Sequence, residues 1–212
     1  MAQTRSRRAG PVLLPGEVAP PVTRTVRSAR SSQIVATART VVEEEGIGAL
    51  TMRRLAVELG IRAPSLYKHF DGKGAVEHAL VEDALWEVGE VTHRALHRRG
   101  TRSPTVNLLA VYRRYSLAHG HLYRRATSGT LDRHWLTPGL EEWAGNPWFV
   151  VTGQAELAQA LWSFAHGMVI LELDDRYPPQ SDLDGAWHAG ASAFEGQAHT
   201  TTRSQRAGLH AG

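Results

Sequence analysis

The chain has 212 residues, of which 42% are apolar, a formal net charge of +3 and a sequence pI near 9.6. It holds no cysteine, which excludes disulfides and thiolate chemistry. No run of about 18 apolar residues occurs, which excludes a membrane-spanning helix, and the short stretch Val12–Leu14 before Pro15 does not make a secretory leader. A cytoplasmic location is therefore the expectation. The mild basic excess suits nucleic-acid binding. It is carried by arginine apart from Lys68 and Lys73.

Residues 1–29 mix Pro, Gly, Arg and small residues without periodicity and read as a disordered basic arm. Arg5, Arg7, Arg8, Arg24 and Arg27 stand there against one acid, Glu17. Such an arm either touches DNA phosphates or the minor groove, or is a solvated tail. A first helix is expected from a cap at Ser31 or Ser32. Ile34, Val35, Ala38, Val41 and Val42 form its apolar stripe, and Gly46 is its stop. Glu43-Glu44-Glu45 is out of place in the last turn, where the helix dipole disfavours anions. Thr51 caps a second helix, with Met52, Leu55, Ala56 and Leu59 inward and Arg53, Arg54 and Glu58 outward. Gly60 supplies a tight turn. Pro64 fits the first turn of a third helix, where no N–H is required, and Leu66 and Phe70 point into a small core.

Asp71-Gly72 breaks that helix. A long one is expected from about Lys73 to Arg98. Another runs from a Ser103 cap to about Arg125, with a break at Gly120. Residues 127–147 are rich in Gly, Pro and Trp and read as a loop with room for one short helix. A further helix is expected from about Thr152 to Leu173, and a last one from Leu183 to about Phe194. The residues from 197 onward read as a disordered tail. No strand pattern competes, so the fold class is all-α with about nine helices.

The run from Thr51 to Lys73 carries the functional signal. A short second helix, held by a three-helix core, presents its outward residues to base edges and phosphates. Here the outward set is Ala63, Pro64, Ser65, Tyr67, Lys68 and His69. Lys73 opens the next helix, where side-chain charge and free N–H groups together suit a phosphate. Thr51 and Arg53 open the helix before.

At these residues the chain resembles the DNA-binding domain of the tetracycline-repressor (TetR/AcrR) family of bacterial transcription regulators, over Ile34 to Leu80. The family pattern is matched by Gly46, by Leu50-Thr51-Met52-Arg53-Arg54-Leu55-Ala56-Val57-Glu58-Leu59-Gly60-Ile61, by Pro64-Ser65-Leu66-Tyr67-Lys68-His69-Phe70 and by Lys73. The resemblance implies DNA contacts at Thr51, Arg53, Ala63, Pro64, Ser65, Tyr67, Lys68, His69 and Lys73. It also implies a homodimer on a pseudo-palindromic double-stranded operator, released by a small-molecule effector. There are two departures. Arg62 replaces the usual capping Ser, at a cost of about 0.5–2 kcal/mol, and Gly74 replaces an acid. The implied layout is a DNA-binding domain at 30–76, a ligand-binding and dimerisation domain at 77–196, and tails at 1–29 and 197–212.

In the second half, Trp162-Ser163-Phe164-Ala165-His166-Gly167 is similar to the Trp-x-x-x-His-Gly signature of one class of these C-terminal domains. Tyr112 to Arg124 also resembles that class. Trp86, Tyr112, Trp162 and His166 are the candidate ligand-pocket walls; core and dimer packing is the alternative. No cofactor, metal or catalytic residue is expected. His93 and His97 have chelating spacing beside Glu90, but Arg94, Arg98 and Arg99 would repel a dication. His119 and His121 diverge on a helix. A rival enzyme reading would use His119, His166 and Asp174 as acid–base groups. A second rival is a helical protein-interaction module.

Overall fold

The computed structural model describes residues 22–98 and 100–209, with side chains to 197. Among them are nine α-helices and two 3-10 turns, with no strand. The arm residues Arg5, Arg7 and Arg8 lie outside the described residues.

Helix α1 spans Ala29–Glu45. It starts before the expected cap because Ser28 takes that role: its hydroxyl accepts the Ser31 N–H at 3.1 Å. Two of the three glutamates at its end are accounted for by tertiary partners. Glu43 lies 2.7 Å from His119 Nδ1, and Glu45 lies 2.9 Å from Arg54. Helix α2 (Met52–Glu58) is capped by Thr51, which accepts the Arg54 N–H at 3.0 Å. Gly60 adopts a left-handed φ of 61°, a turn that glycine makes without strain. Helix α3 (Ala63–Leu66) follows, with Arg62 at its N-cap and no side-chain capping bond.

These three helices close on Ile34, Val42, Leu50, Leu55 and Leu66, all fully buried. Each such side chain contributes roughly 1.5–3 kcal/mol by leaving water. The same core takes in Val76, Ala79, Leu80 and Ala84 from helix α4 (Lys73–Leu96) and Leu122 from helix α6 (Gly120–Thr127). The border expected between 76 and 77 thus falls inside one continuous helix. The head is welded to the body by that helix.

Helix α5 (Pro104–Ala118) is capped by Ser103, and the break expected at Gly120 falls at His119, which separates α5 from α6. The stretch 127–147, expected as a loop with room for one short helix, holds more helix than that. A 3-10 turn at Arg133–Trp135 is followed by a full helix α7, Leu140–Thr152, with Pro147 inside it. Leu140, Ala144 and Trp148 give α7 a buried stripe at i, i+4, i+8, which outweighs the proline. Gly153 ends it in a left-handed conformation, and α8 runs Ala155–Leu173. Helix α9 runs Leu183–Leu209, past Phe194 where the apolar spacing fades. No proline interrupts that continuation, so backbone hydrogen bonding can carry it. Leu108 and Tyr112 of α5, Leu161, Ala165 and Val169 of α8, and Trp187 and Ala191 of α9 build the second core.

The segment 22–28 is a non-helical strap. Arg27 bonds both oxygens of Asp83, at 2.7 and 2.8 Å, and reaches Glu82 at 2.8 Å, while Arg24 also meets Asp83. Both arginines are therefore paired with acids of α4, Arg27 half-buried and Arg24 still exposed. A cavity of about 210 Å³ lies beneath the strap, between α1, α4 and α6, and is lined by Val35, Arg39, Leu80 and Leu122 among others.

Candidate nucleic-acid interface and aromatic cluster

The helix-turn-helix presents an uneven set of charges. Arg54 is spent internally, on Glu45 at 2.9 Å and Glu58 at 2.7 Å. Arg53, Arg62 and Lys68 are exposed and make no ion pair among the described residues. Tyr67 is 56% exposed, an unusual setting for a large aromatic ring. Pro64 and His69 are exposed, Ala63 and Ser65 half-buried. Thr51 and Arg53 line an open depression on α2 together with Arg54, Val57 and Glu58. The nine candidate positions thus fall on α2, on α3 and its C-cap turn, and at the start of α4, around one small core.

Lys73 differs from Lys68. Its Nζ donates to the Ile47 carbonyl at 3.2 Å and lies 3.4 Å from Glu77. Glu77 is shared, because Arg125 of α6 holds its other oxygen at 2.9 Å. A network of the same kind ties α1 to α4 and α5: Arg39 chelates Glu87, and Tyr115 donates to Glu87 at 3.0 Å. Burial alone would push the Glu87 carboxyl up, but the Arg39 hydrogen bonds bring it below the usual range.

Of the four aromatic candidates in the body, three are joined and one stands in another setting. Tyr112 and Tyr123 share a hydroxyl contact at 2.9 Å, and Tyr123 Oη meets His166 Nδ1 at 2.7 Å. Trp162 stacks on His166 with centroids 5.5 Å apart. Burial raises Tyr112 well above its ordinary value and pushes Tyr123 up to about 12. It lowers His166, favouring a neutral ring that accepts the Tyr123 hydroxyl at Nδ1. Tyr123 is the member of this chain absent from the sequence candidates, although it lies within the stretch Tyr112 to Arg124 that resembles the same class. Trp86 instead packs on Trp143, with centroids 5.1 Å apart. None of the four lines either of the two cavities described above.

The remaining titratable candidates are separated. His119 is bound to Glu43, His166 to Tyr123, and Asp174 to Arg124 at 2.6 Å. Among the described residues, no group of three or more potential metal ligands gathers. No described helix is long and apolar enough to cross a membrane.

Residues 34–80 match the family model of bacterial regulatory proteins, tetR family. A helix-turn-helix transcriptional regulator of Mycobacterium tuberculosis is 28% identical over 181 residues, covering 81% of this chain and 83% of its own length. The class C tetracycline repressor protein of Escherichia coli is 42% identical over 52 residues, covering 24% of each chain. Among solved structures, a protein of unknown function from Rhodococcus sp. RHA1 has a TM-score of 0.64 at 18% identity, over 80% of this chain and 95% of its own. TetR from Acinetobacter baumannii AYE has a TM-score of 0.55 at 20% identity, over 80% and 96%. The relatives that carry a stated activity are transcriptional regulators, not enzymes. Residues 34–80 are therefore similar to a tetR-family N-terminal domain, and the chain shares its helical fold with solved structures bearing that name.

Proposed function

We propose that this protein is a ligand-responsive DNA-binding transcription regulator that acts as a homodimer and represses its target. The observation that carries the reading is the outward set of the helix-turn-helix: Tyr67, Lys68 and Arg53 are exposed, with no side-chain hydrogen bond or ion pair among the described residues, on a packed helical core. Tyr67, Lys68, His69 and Ser65, with Ala63 and Pro64, meet the major groove. Thr51, Arg53 and Lys73 hold the flanking phosphates.

The domain spans are those of the sequence, 30–76 for DNA and 77–196 for sensing and pairing. Two heads must sit about 34–36 Å apart, or a multiple, to reach successive major grooves on a pseudo-palindrome. Apolar exposure on α8 supports pairing, since Trp162 and Leu171, on opposite flanks of the helix, remain 42% and 41% exposed. α8 and α9 then form a four-helix bundle with their counterparts across the two-fold. The body belongs to the Trp-x-x-x-His-Gly class, and a small apolar effector enters beside Tyr112, Trp162 and His166, the three candidates that are joined, while Trp86 packs apart on Trp143. Such an effector acts by binding one head spacing better than the other.

The test is fluorescence anisotropy of the full chain on its own upstream DNA between about 50 and 200 mM salt. Sequence-selective binding that falls steeply with salt, at two chains per site, is the expected result. No selective binding on any upstream fragment would overturn it and favour the protein-interaction reading.

A further inference from the structure

Arg62 is a local mismatch. It occupies the N-cap of α3 with extended backbone angles and no side-chain capping bond. Capping positions favour Ser, Thr, Asp or Asn, whose oxygen accepts a backbone N–H. A guanidinium has no acceptor to offer, and its charge faces the positive end of the helix. Nearby acids do not compensate, since Glu45 and Glu58 are both taken by Arg54. The side chain is exposed, with no hydrogen bond or ion pair among the described residues. A position that gives up a cap and gains no internal partner is one where function overrides local stability.

We infer that Arg62 reads a base: its guanidinium pairs with O6 and N7 of a guanine in the major groove, once per operator half-site. The first residues of a recognition helix are the ones that meet base edges. The residues after Arg62 are small. Ala63 offers a methyl group, and Pro64 offers no donor at all. Arg53 opens α2, the helix that crosses the phosphate backbone, and Lys68 is a point charge without a fork. Arg62 alone combines the leading position with a planar two-donor edge that matches guanine.

This inference rests on the DNA-binding reading above, and the experiment separates the two. The full-length chain selects its operator from a random duplex library. Wild type, Arg62→Ala, Arg62→Ser and Arg62→Lys are then titrated on the operator and on each single-base variant, at several salt concentrations. Wild type should prefer guanine at one position per half-site by roughly 5- to 150-fold. Arg62→Ala and Arg62→Ser should lose that preference at that position alone, and Arg62→Lys should keep part of it. Arg62→Ser restores a capping oxygen, so its melting temperature should rise by a few degrees, about 2–6 °C, while discrimination falls. That combination excludes misfolding as the cause.

Uniform weakening on every sequence, with a salt slope shallower by about one, would make Arg62 a phosphate contact and overturn the inference. An unchanged base preference would overturn it too. If wild type enriches no sequence, the DNA-binding reading fails and takes this one with it.

Discussion

The Nε2–H of His93 donates to the carbonyl oxygen of Trp143 at 2.9 Å, the oxygen that Pro147 leaves without its helical partner. Pro147 has no N–H to return to the residue four before it, so the bond comes from another helix. The same imidazole stacks on the Trp143 ring at 4.7 Å, and Trp86 touches that ring from one side. Trp86, Gly89 and His93 lie at i, i+3, i+7 on α4 and together form a seat for Trp143. This seat holds α7 on α4 and explains how a proline-bearing segment stays helical. His93→Phe should keep the stacking but orphan the carbonyl, lowering stability by about 1–3 kcal/mol in urea melts. Pro147→Ala restores a helical N–H, so the cost of His93→Phe should shrink in that background. Strictly additive effects would show that the two residues are not coupled.

Gly89 is required by the same seat. A Cβ there would run into the six-membered ring of Trp143. Gly89→Ala should therefore destabilise the fold by about 1–3 kcal/mol through overpacking, despite the better helix propensity of alanine. A melting temperature equal to or above wild type would contradict the close approach.

Burial lowers the titration of both His93 and His166 below the ordinary histidine value near 6.5. In that window the unfolded chain binds more protons than the folded one, so stability rises with pH. The contribution is fully present above pH 6.5 and is lost as the medium acidifies toward the lowered folded values. Urea melts at pH 5.5 and 7.5 should give the higher midpoint at 7.5. Replacing His93 with Gln, which retains a donor, should reduce the difference.

Lys68 and Lys73 should behave differently on substitution. Lys68 has no internal partner, so Lys68→Ala should leave stability within about 0.5 kcal/mol while reducing the salt slope of operator binding by about one. Tyr67→Ala should likewise weaken binding with an unchanged helical circular dichroism spectrum. Lys73→Ala also loses the Ile47 carbonyl bond and the Glu77 contact, so binding and stability should fall together, the latter by about 0.5–1.5 kcal/mol. Full affinity in both Tyr67→Ala and Lys68→Ala would remove α3 as the recognition element.

Glu77 links that lysine to the body through Arg125. Glu77→Gln should release Lys73 toward a phosphate and tighten operator binding, while lowering stability by about 1 kcal/mol. Anisotropy titrations beside denaturant melts would read both effects. Weaker binding with unchanged stability would exclude the shared role.

The head was legible in the chain because its information is local. Thr51 as cap, Leu55 and Ala56 inward, Gly60 at the turn, and Leu66 with Phe70 one turn apart are all set by spacing within a single helix or turn. The same spacing gave α8 and the break before α6. What pairs across the fold was not written there. Arg24 and Arg27 look like a free basic arm until acids 55 to 59 positions away come into reach. Glu43 and Glu45 look misplaced until His119 and Arg54 arrive. Residues 127–147 look like a loop with room for one short helix because proline and glycine weigh against more; the helix that forms runs on to Thr152, and His93 on another helix, placed by tertiary packing, supplies the donor for the carbonyl that Pro147 leaves open. Periodicity records which face of a helix is apolar; it carries no record of which distant group will satisfy a charge or an orphaned carbonyl.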